Sequence, residues 1–444
     1  MVKGSLTWIR GGRIVCPASG RDAEGDILIE GDRIRAVGRF EPPPDDAPVD
    51  VIDARGLLVA PGLIDMHAHL REPGNEEEET IQSGARAAVA GGITSLACFP
   101  NTEPAIDNEA AAEFVVLQGK RANLANIFPV GAVTLDRQGQ RLSEMGGLHR
   151  AGAVAFSEAD RTLRSAEVMR RGLLYAKMLD LPVIAHCEDP DLRGAGVMNY
   201  GKTSLRLGLG GIPEAAEDIV ISRDIRLAEI TLGRLHLGHM STRGSVGLLA
   251  EAKAKGIDVT GEVTPPHFAL TEEAVNTYDP NYKLIPPLRT SSDVEALILG
   301  LESGVIDVIA SGHAPHSPEE KQLEFATAPA GVVGLETLFP VSYTVLVERH
   351  GFPVSKLLEK LTIQPARILR LDRDRGSLEP GKIADISLFD VTSERVISSA
   401  KFESKSRNTC FEGWKVRGTA VHVFVGGRPV LRSGTVVDGP PGAV

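Results

Sequence analysis

The sequence predicts an α/β protein, a (β/α)8 barrel of the TIM type carrying a small β-sandwich built from its two ends. Three observations lead there. Between about residues 60 and 377 short apolar runs alternate with helix-like stretches, over a length that suits one closed barrel. Residues 5–59 and the tail instead show β-like runs broken by turns. Neither end is long enough to bury a core alone, so the two are expected to pair. The expected division is 1–59 and 378–444 for the sandwich and 60–377 for the barrel.

Composition narrows the function classes. With 444 residues, 42% apolar and 24% charged, the chain has ample material for a soluble core. Its 48 Lys and Arg against 59 Asp and Glu give a net charge of −11, with no basic cluster to grip nucleic acid or anionic lipid. Small molecules or proteins are the expected partners. Cys16, Cys98, Cys187 and Cys410 are widely separated and form no CxxC, so neither a disulfide framework nor a thiolate zinc site is expected. That usage suits a reducing cytoplasm. No run of about 18 apolar residues and no basic-then-apolar leader is present, so a membrane or secreted location is not expected.

In chain order, Leu6–Ile9, Gly11–Gly12, Asp26–Asp32 and Ile34–Gly38 read as hairpins, and the Pro-rich Glu41–Asp46 as a surface loop. The tail repeats the style in Asp385–Asp390 and Val421–Val430. The barrel opens with Gly62–Gly74, where an apolar run ends in His67 and His69 before the turn Arg71-Glu72-Pro73-Gly74. Alternate strand residues point the same way, so these two imidazoles can serve one metal ion. Taken alone the pair is weak, because short motifs often bind nothing.

Later runs end in, or just before, residues able to do chemistry: Asn101, Glu158, His186, His239 and His313. Strand ends of a barrel converge on one mouth, so the histidines gain weight jointly that none has singly. His149, His236, His350 and His422 read as structural or solvated. Glu76–Glu79 reads as a solvated helix start, and Ser317–Gly331 as a mobile cover over the mouth.

These segments, with Gly91-Gly92-Ile93-Thr94, Phe99-Pro100-Asn101-Thr102, Ala185-His186-Cys187-Glu188, Gly238–Thr242 and His313-Ala314-Pro315-His316, resemble the dihydroorotases of the amidohydrolase superfamily, in the type I or multifunctional-complex branch. The resemblance runs nearly end to end. It implies binuclear zinc that activates a bridging hydroxide, and interconversion of N-carbamoyl-L-aspartate and L-dihydroorotate in pyrimidine synthesis. Carried over by position, His67 and His69 match the ligands of one zinc, and His186 and His239 those of the other. Arg71 and Asn101 match residues that hold the substrate carboxylate, and His316 a substrate-binding histidine.

The departures fall on the chemistry. Phe156-Ser157-Glu158-Ala159-Asp160 puts Ala159 where the family's bridging aspartate stands, and Gly312 replaces the aspartate that binds metal and shuttles the proton. Ile285 stands for a substrate-binding asparagine, and Pro266 for a histidine. A missing general base costs about 10²–10⁴-fold in rate. Without a carboxylate bridge, one zinc is expected rather than two. Glu158, Asp160 or a carboxylated Lys177 are the expected substitutes.

Three readings follow: a dihydroorotase or cyclic amidohydrolase with a reduced or altered metal site; a silent dihydroorotase-like subunit scaffolding aspartate carbamoyltransferase; and a hydantoinase- or allantoinase-like hydrolase. A cyclic ureide or carbamoyl amino acid is the expected ligand, and a homo-oligomer the expected assembly.

Overall fold

The computed structural model describes residues 6–41, 43 and 48–437. Most of the expected Pro-rich loop 41–46 lies outside them. Eight parallel strands follow one another in sequence order: Leu63–Ala68, Ile93–Cys98, Asn126–Ala132, Ala155–Ser157, Val183–Ala185, Leu235–Leu237, Val259–Val263 and Val308–Ile309. Every residue of the first two is buried, as strands covered on both faces require. The last strand returns to the first. His69 N donates to His313 O at 2.9 Å. The buried Asp65 carboxylate accepts from Ser311 N at 2.9 Å and from Ser311 Oγ at 2.5 Å. A (β/α)8 barrel thus closes at the point where the histidine pair emerges.

Helices wrap the barrel between strands. Ile81–Ala90 starts at Thr80, whose side chain accepts from Ser83 N, and turns its alanines and Val89 inward. The acidic run before it is not the solvated helix start expected from sequence. Glu79 is fully buried and bonded to Ser83, Ser404 and the Lys405 N–H, and Glu78 is buried against Arg71. The helix begins only after them.

The two chain ends pair in one nine-stranded mixed sheet. Its seam is Leu58–Pro61 running antiparallel to Ile386–Asp390, with Leu58 opposite Phe389. The sheet closes over an apolar cluster of its own that includes Ile9, Ile14, Ile27, Ile29, Ile386 and Phe424. Gly11–Gly12 is not a hairpin turn. It is a bulge inside the strand Leu6–Cys16, where Gly11 has φ 74° and a Cβ on Gly12 would meet Val59 Cγ2 at 2.4 Å. Among the described residues no helix is long and apolar enough to cross a membrane.

Candidate active site

The strand ends enclose a cavity of about 290 Å3 lined by His67, His69, His186, His239, Arg71 and His316, among others. All four expected metal histidines therefore share one space. His67 is oriented from behind: its Nδ1 hydrogen-bonds the fully buried Glu262 carboxylate, its ring stacks on Phe99 at 4.0 Å, and Nε2 is left as the free ring nitrogen. His69 is fixed in the same way, with Nδ1 2.6 Å from Asn101 Oδ1. Burial pushes the Glu262 carboxyl up, but His67 and His236 outweigh this and hold it below its ordinary range. A carboxylate behind a ring nitrogen fixes the tautomer and makes the opposite nitrogen a better ligand.

His186 and His239 come from neighbouring strands and turn Nδ1 and Nε2 toward each other at 3.2 Å. His186 Nε2, on the far side, lies 3.7 Å from Glu188 Oε2. Two nitrogens on one tetrahedral zinc, each about 2.0–2.1 Å from it, stand roughly 3.3 Å apart. Burial, then the neighbouring histidine and arginine charges, push His69 and His239 well below their ordinary range. They are neutral, the form that ligates. The imidazole set fits a metal ion.

Of the carboxylates expected to help, only Asp160 reaches the cavity. Glu158 does not line the cavity: its carboxylate accepts from Thr134 N and Thr134 Oγ1, both at 2.8 Å. The turn that sends it there has Ala159 at φ 57°. Asp160 lines the cavity but is paired with Arg137. Lys177 sits on the outer helix Ala166–Met178 and donates to Thr231 O at 3.2 Å, so it supplies no carboxylated bridge. Gly312 is on the wall with φ 59°, and a Cβ there would meet Thr264 Cγ2 at 2.9 Å.

The expected substrate residues are drawn together. Arg71 Nε lies 2.7 Å from Glu78 Oε2, and Nε and Nη2 also donate to Pro315 O at 3.2 and 3.0 Å. His316 donates Nε2–H to Ala330 O at 2.9 Å; its Nδ1 has no hydrogen-bond partner and faces Glu320 at 3.5 Å and Glu78 at 4.0 Å. Among the described residues, Glu78, His316 and Glu320 are a group of acid and imidazole ligands whose atoms all lie within 4.8 Å. Burial, then Arg71 and Lys321, push His316 down to about 4. Ile285 and Leu284 line one wall.

The segment Ser317–Gly331 lies over the mouth, contributing Pro329, Ala330 and Gly331 to the lining. Two lysines tie it down. Lys283 Nζ donates to Ala326 O at 2.9 Å and Ala328 O at 2.7 Å. Lys321 Nζ donates to Pro280 O at 3.1 Å and Pro329 O at 2.8 Å.

Glu262 and Arg193 were not singled out from sequence, and Glu78 was read there only as part of a solvated acidic run. The one available signal was an acidic residue inside the apolar run Val259–Val263. His236, read as structural, is fully buried between Thr260 Oγ1 at 2.7 Å and Glu262 Oε2 at 3.2 Å.

A parallel barrel with a histidine-lined mouth and a sheet of both chain ends is an architecture that can hold a metal ion at the strand ends. The model of the amidohydrolase family matches residues 58–430. The dihydroorotase of Pelobacter propionicus is 49% identical over 424 residues, 96% of this chain and 99% of that one. That of Geobacter sp. (strain M21) is 46% identical, covering 96% of this chain and 99% of that one. The L-hydantoinase (dihydropyrimidinase) structure from Arthrobacter aurescens superposes with a TM-score of 0.88 at 24% identity, over 98% of this chain and 97% of that one. The chain belongs to the amidohydrolase family, in its dihydroorotase branch.

Proposed function

We propose that the chain interconverts L-dihydroorotate and N-carbamoyl-L-aspartate around a single metal ion, zinc, held by His186 and His239 with His67 and His69 beside them. The observation that carries this is the 3.2 Å approach of His186 Nδ1 to His239 Nε2, a spacing suited to two ligands of one tetrahedral ion. The curated relatives named dihydroorotase support the substrate.

A bound zinc polarises a carbonyl and lowers the pKa of a water molecule. The rest falls to the chain's own groups. Asn101, its oxygen committed to His69, keeps its amide N–H groups for a ring oxygen. His316, neutral and with Nδ1 free, accepts a ring N–H. Leu284 and Ile285 pack the ring face, and Pro329–Gly331 exclude bulk water. Proton transfer has no free acidic side chain, since Asp160 is held by Arg137. Solvent must carry the proton, so turnover is about 10²–10⁴-fold slower than with a positioned base.

That same lack of a free carboxylate favours a second reading, a subunit that no longer turns over and scaffolds aspartate carbamoyltransferase. Zinc content by mass spectrometry, with the rate of dihydroorotate hydrolysis on the same sample, separates the two. Stoichiometric zinc with a rate that vanishes in His186→Ala supports the enzyme. Neither zinc nor turnover overturns it and leaves the scaffold, to be checked by co-purification.

A further inference from the structure

Two guanidinium groups line the histidine cavity, and they stand beside different histidines. Arg71 and His316 face the same Glu78 carboxylate, at 2.7 and 4.0 Å. Arg193 belongs to the side of His186: its Nη1 lies 3.2 Å from Glu188 Oε2, which in turn lies 3.7 Å from His186 Nε2. It ends the one-turn helix Pro190–Arg193, which is fixed by Asp189, whose carboxylate accepts from Asp191 N at 2.9 Å and Leu192 N at 3.0 Å. Only Nη1 of the Arg193 guanidinium has a partner among the described residues, and 35% of the side chain is exposed. Among the described residues the one acid on the cavity wall, Asp160, is already paired with Arg137. Arg193 also borders a neighbouring cavity of about 660 Å3, which shares Asp160 and His186 with the first.

Opening the dihydroorotate ring makes a second carboxylate. Water adds to the ring amide carbonyl and the C–N bond breaks. The nitrogen takes one proton of the water, and the other is released as the new acid ionises. The open chain is a dianion and is longer than the ring, so it needs a second cation and more room where the carbonyl stood. Arg193 offers the cation, and the adjoining cavity offers the room.

We propose that Arg193 binds the carboxylate created by ring opening and makes the cavity selective for the open-chain dicarboxylate, a role that rests on the reading of this cavity as the site where dihydroorotate and N-carbamoyl-L-aspartate interconvert. On that reading the carbonyl that opens lies beside His186 and His239, the end of the cavity that Arg193 borders through Glu188. A guanidinium meets a carboxylate with two parallel N–H groups, and Nε and Nη2, one edge of the fork, are left for it. A neutral amide in the same place forfeits that charge-assisted pair.

N-carbamoyl-L-aspartate and N-carbamoyl-L-asparagine differ only in that carboxylate, and calorimetry on the full chain compares them. At pH 8 ring closure is disfavoured, because it consumes a proton. Wild type, Arg193→Gln and Arg193→Lys are measured at equal zinc content, each checked by its thermal melt. The wild type is expected to prefer the aspartate compound about tenfold or more, Arg193→Gln to lose about tenfold of that preference, and Arg193→Lys to keep most of it. Loosening of Glu188 or His186 alone would weaken both compounds alike and leave the preference intact. A wild type without the preference, or an Arg193→Gln that keeps it, overturns the assignment while the cavity reading stands. If neither compound binds to any of the three proteins, the cavity reading falls, and the role of Arg193 with it.

Discussion

His186 Nδ1 and His239 Nε2 face each other across 3.2 Å at the ends of adjacent barrel strands, each on a buried imidazole. A ligand that binds only the folded chain stabilises it by about 2.7 kcal/mol at a hundred times its dissociation constant. Zinc is therefore expected to raise the melting temperature of the wild type, and His186→Ala to abolish most of that rise. A thermal melt with and without zinc decides it; an equal rise in both proteins would place the metal elsewhere.

Glu262 joins two imidazoles in the barrel interior, accepting from His67 and standing 3.2 Å from His236 Nε2. Breaking such a buried pair from one side costs about 3–5 kcal/mol. Glu262→Gln should lower denaturant stability by about that amount and weaken zinc binding about 10–100-fold through the loosened His67 ring. Zinc competition with a chromophoric chelator and a urea melt read the two effects separately. A variant as stable and as zinc-avid as the wild type would sink this account.

Gly312→Asp sets two effects against each other. The φ of 59° and the 2.9 Å approach to Thr264 Cγ2 strain any side chain there, at a cost of about 1–3 kcal/mol. The new carboxylate would also stand on the cavity wall that the four histidines share. The expected outcome is a lower melting temperature with dihydroorotate hydrolysis raised about 10²-fold or more. Lost stability without any gain in rate would show that the missing base is not what limits turnover.

Burial pushes the Glu336 carboxyl from 4.5 up to about 8. The folded state keeps this proton while the unfolded chain releases it near 4.5, so the stabilisation is complete below that value and is lost as pH rises toward 8. Glu336→Gln keeps an oxygen for the N–H groups of Glu403 and Ser404, now at 2.8 and 3.2 Å. Between pH 5 and 8 the variant's melting temperature should fall less steeply than the wild type's. Parallel pH curves would count against the assignment.

The sequence made the barrel legible wherever a strand was a plain apolar run ending in a polar residue, as at Leu63–Ala68, Val183–Ala185 and Leu235–Leu237. It hid Asn126–Ala132, which carries Pro129 and Gly131, and Val259–Val263, which carries Gly261 and Glu262. Both glycines are there for close packing: a Cβ on Gly131 would meet Leu148 Cδ1 at 2.8 Å, and one on Gly261 would meet Met240 Sδ at 2.6 Å. The histidine cluster was readable because strand-end position alone sends side chains to the mouth. Where Glu158 points was not, since it depends on one left-handed residue, Ala159, and on Thr134, 24 positions earlier. The Arg71 and Glu78 pair was hidden because both belong to an irregular turn with no period to read.

The cover over the mouth is fastened by ammonium groups that grip backbone carbonyls, so its hold does not depend on the side chains at its tip. Three of these contacts cross from the cover to Pro280 and Lys283, and they must break for the cover to lift. Traffic is then paced at the door: a molecule's dwell time inside is set by how often the cover lifts, whatever its equilibrium affinity. Two ligands of unequal strength would then leave at similar rates, and a brief pulse of substrate shorter than that interval would pass the protein unread.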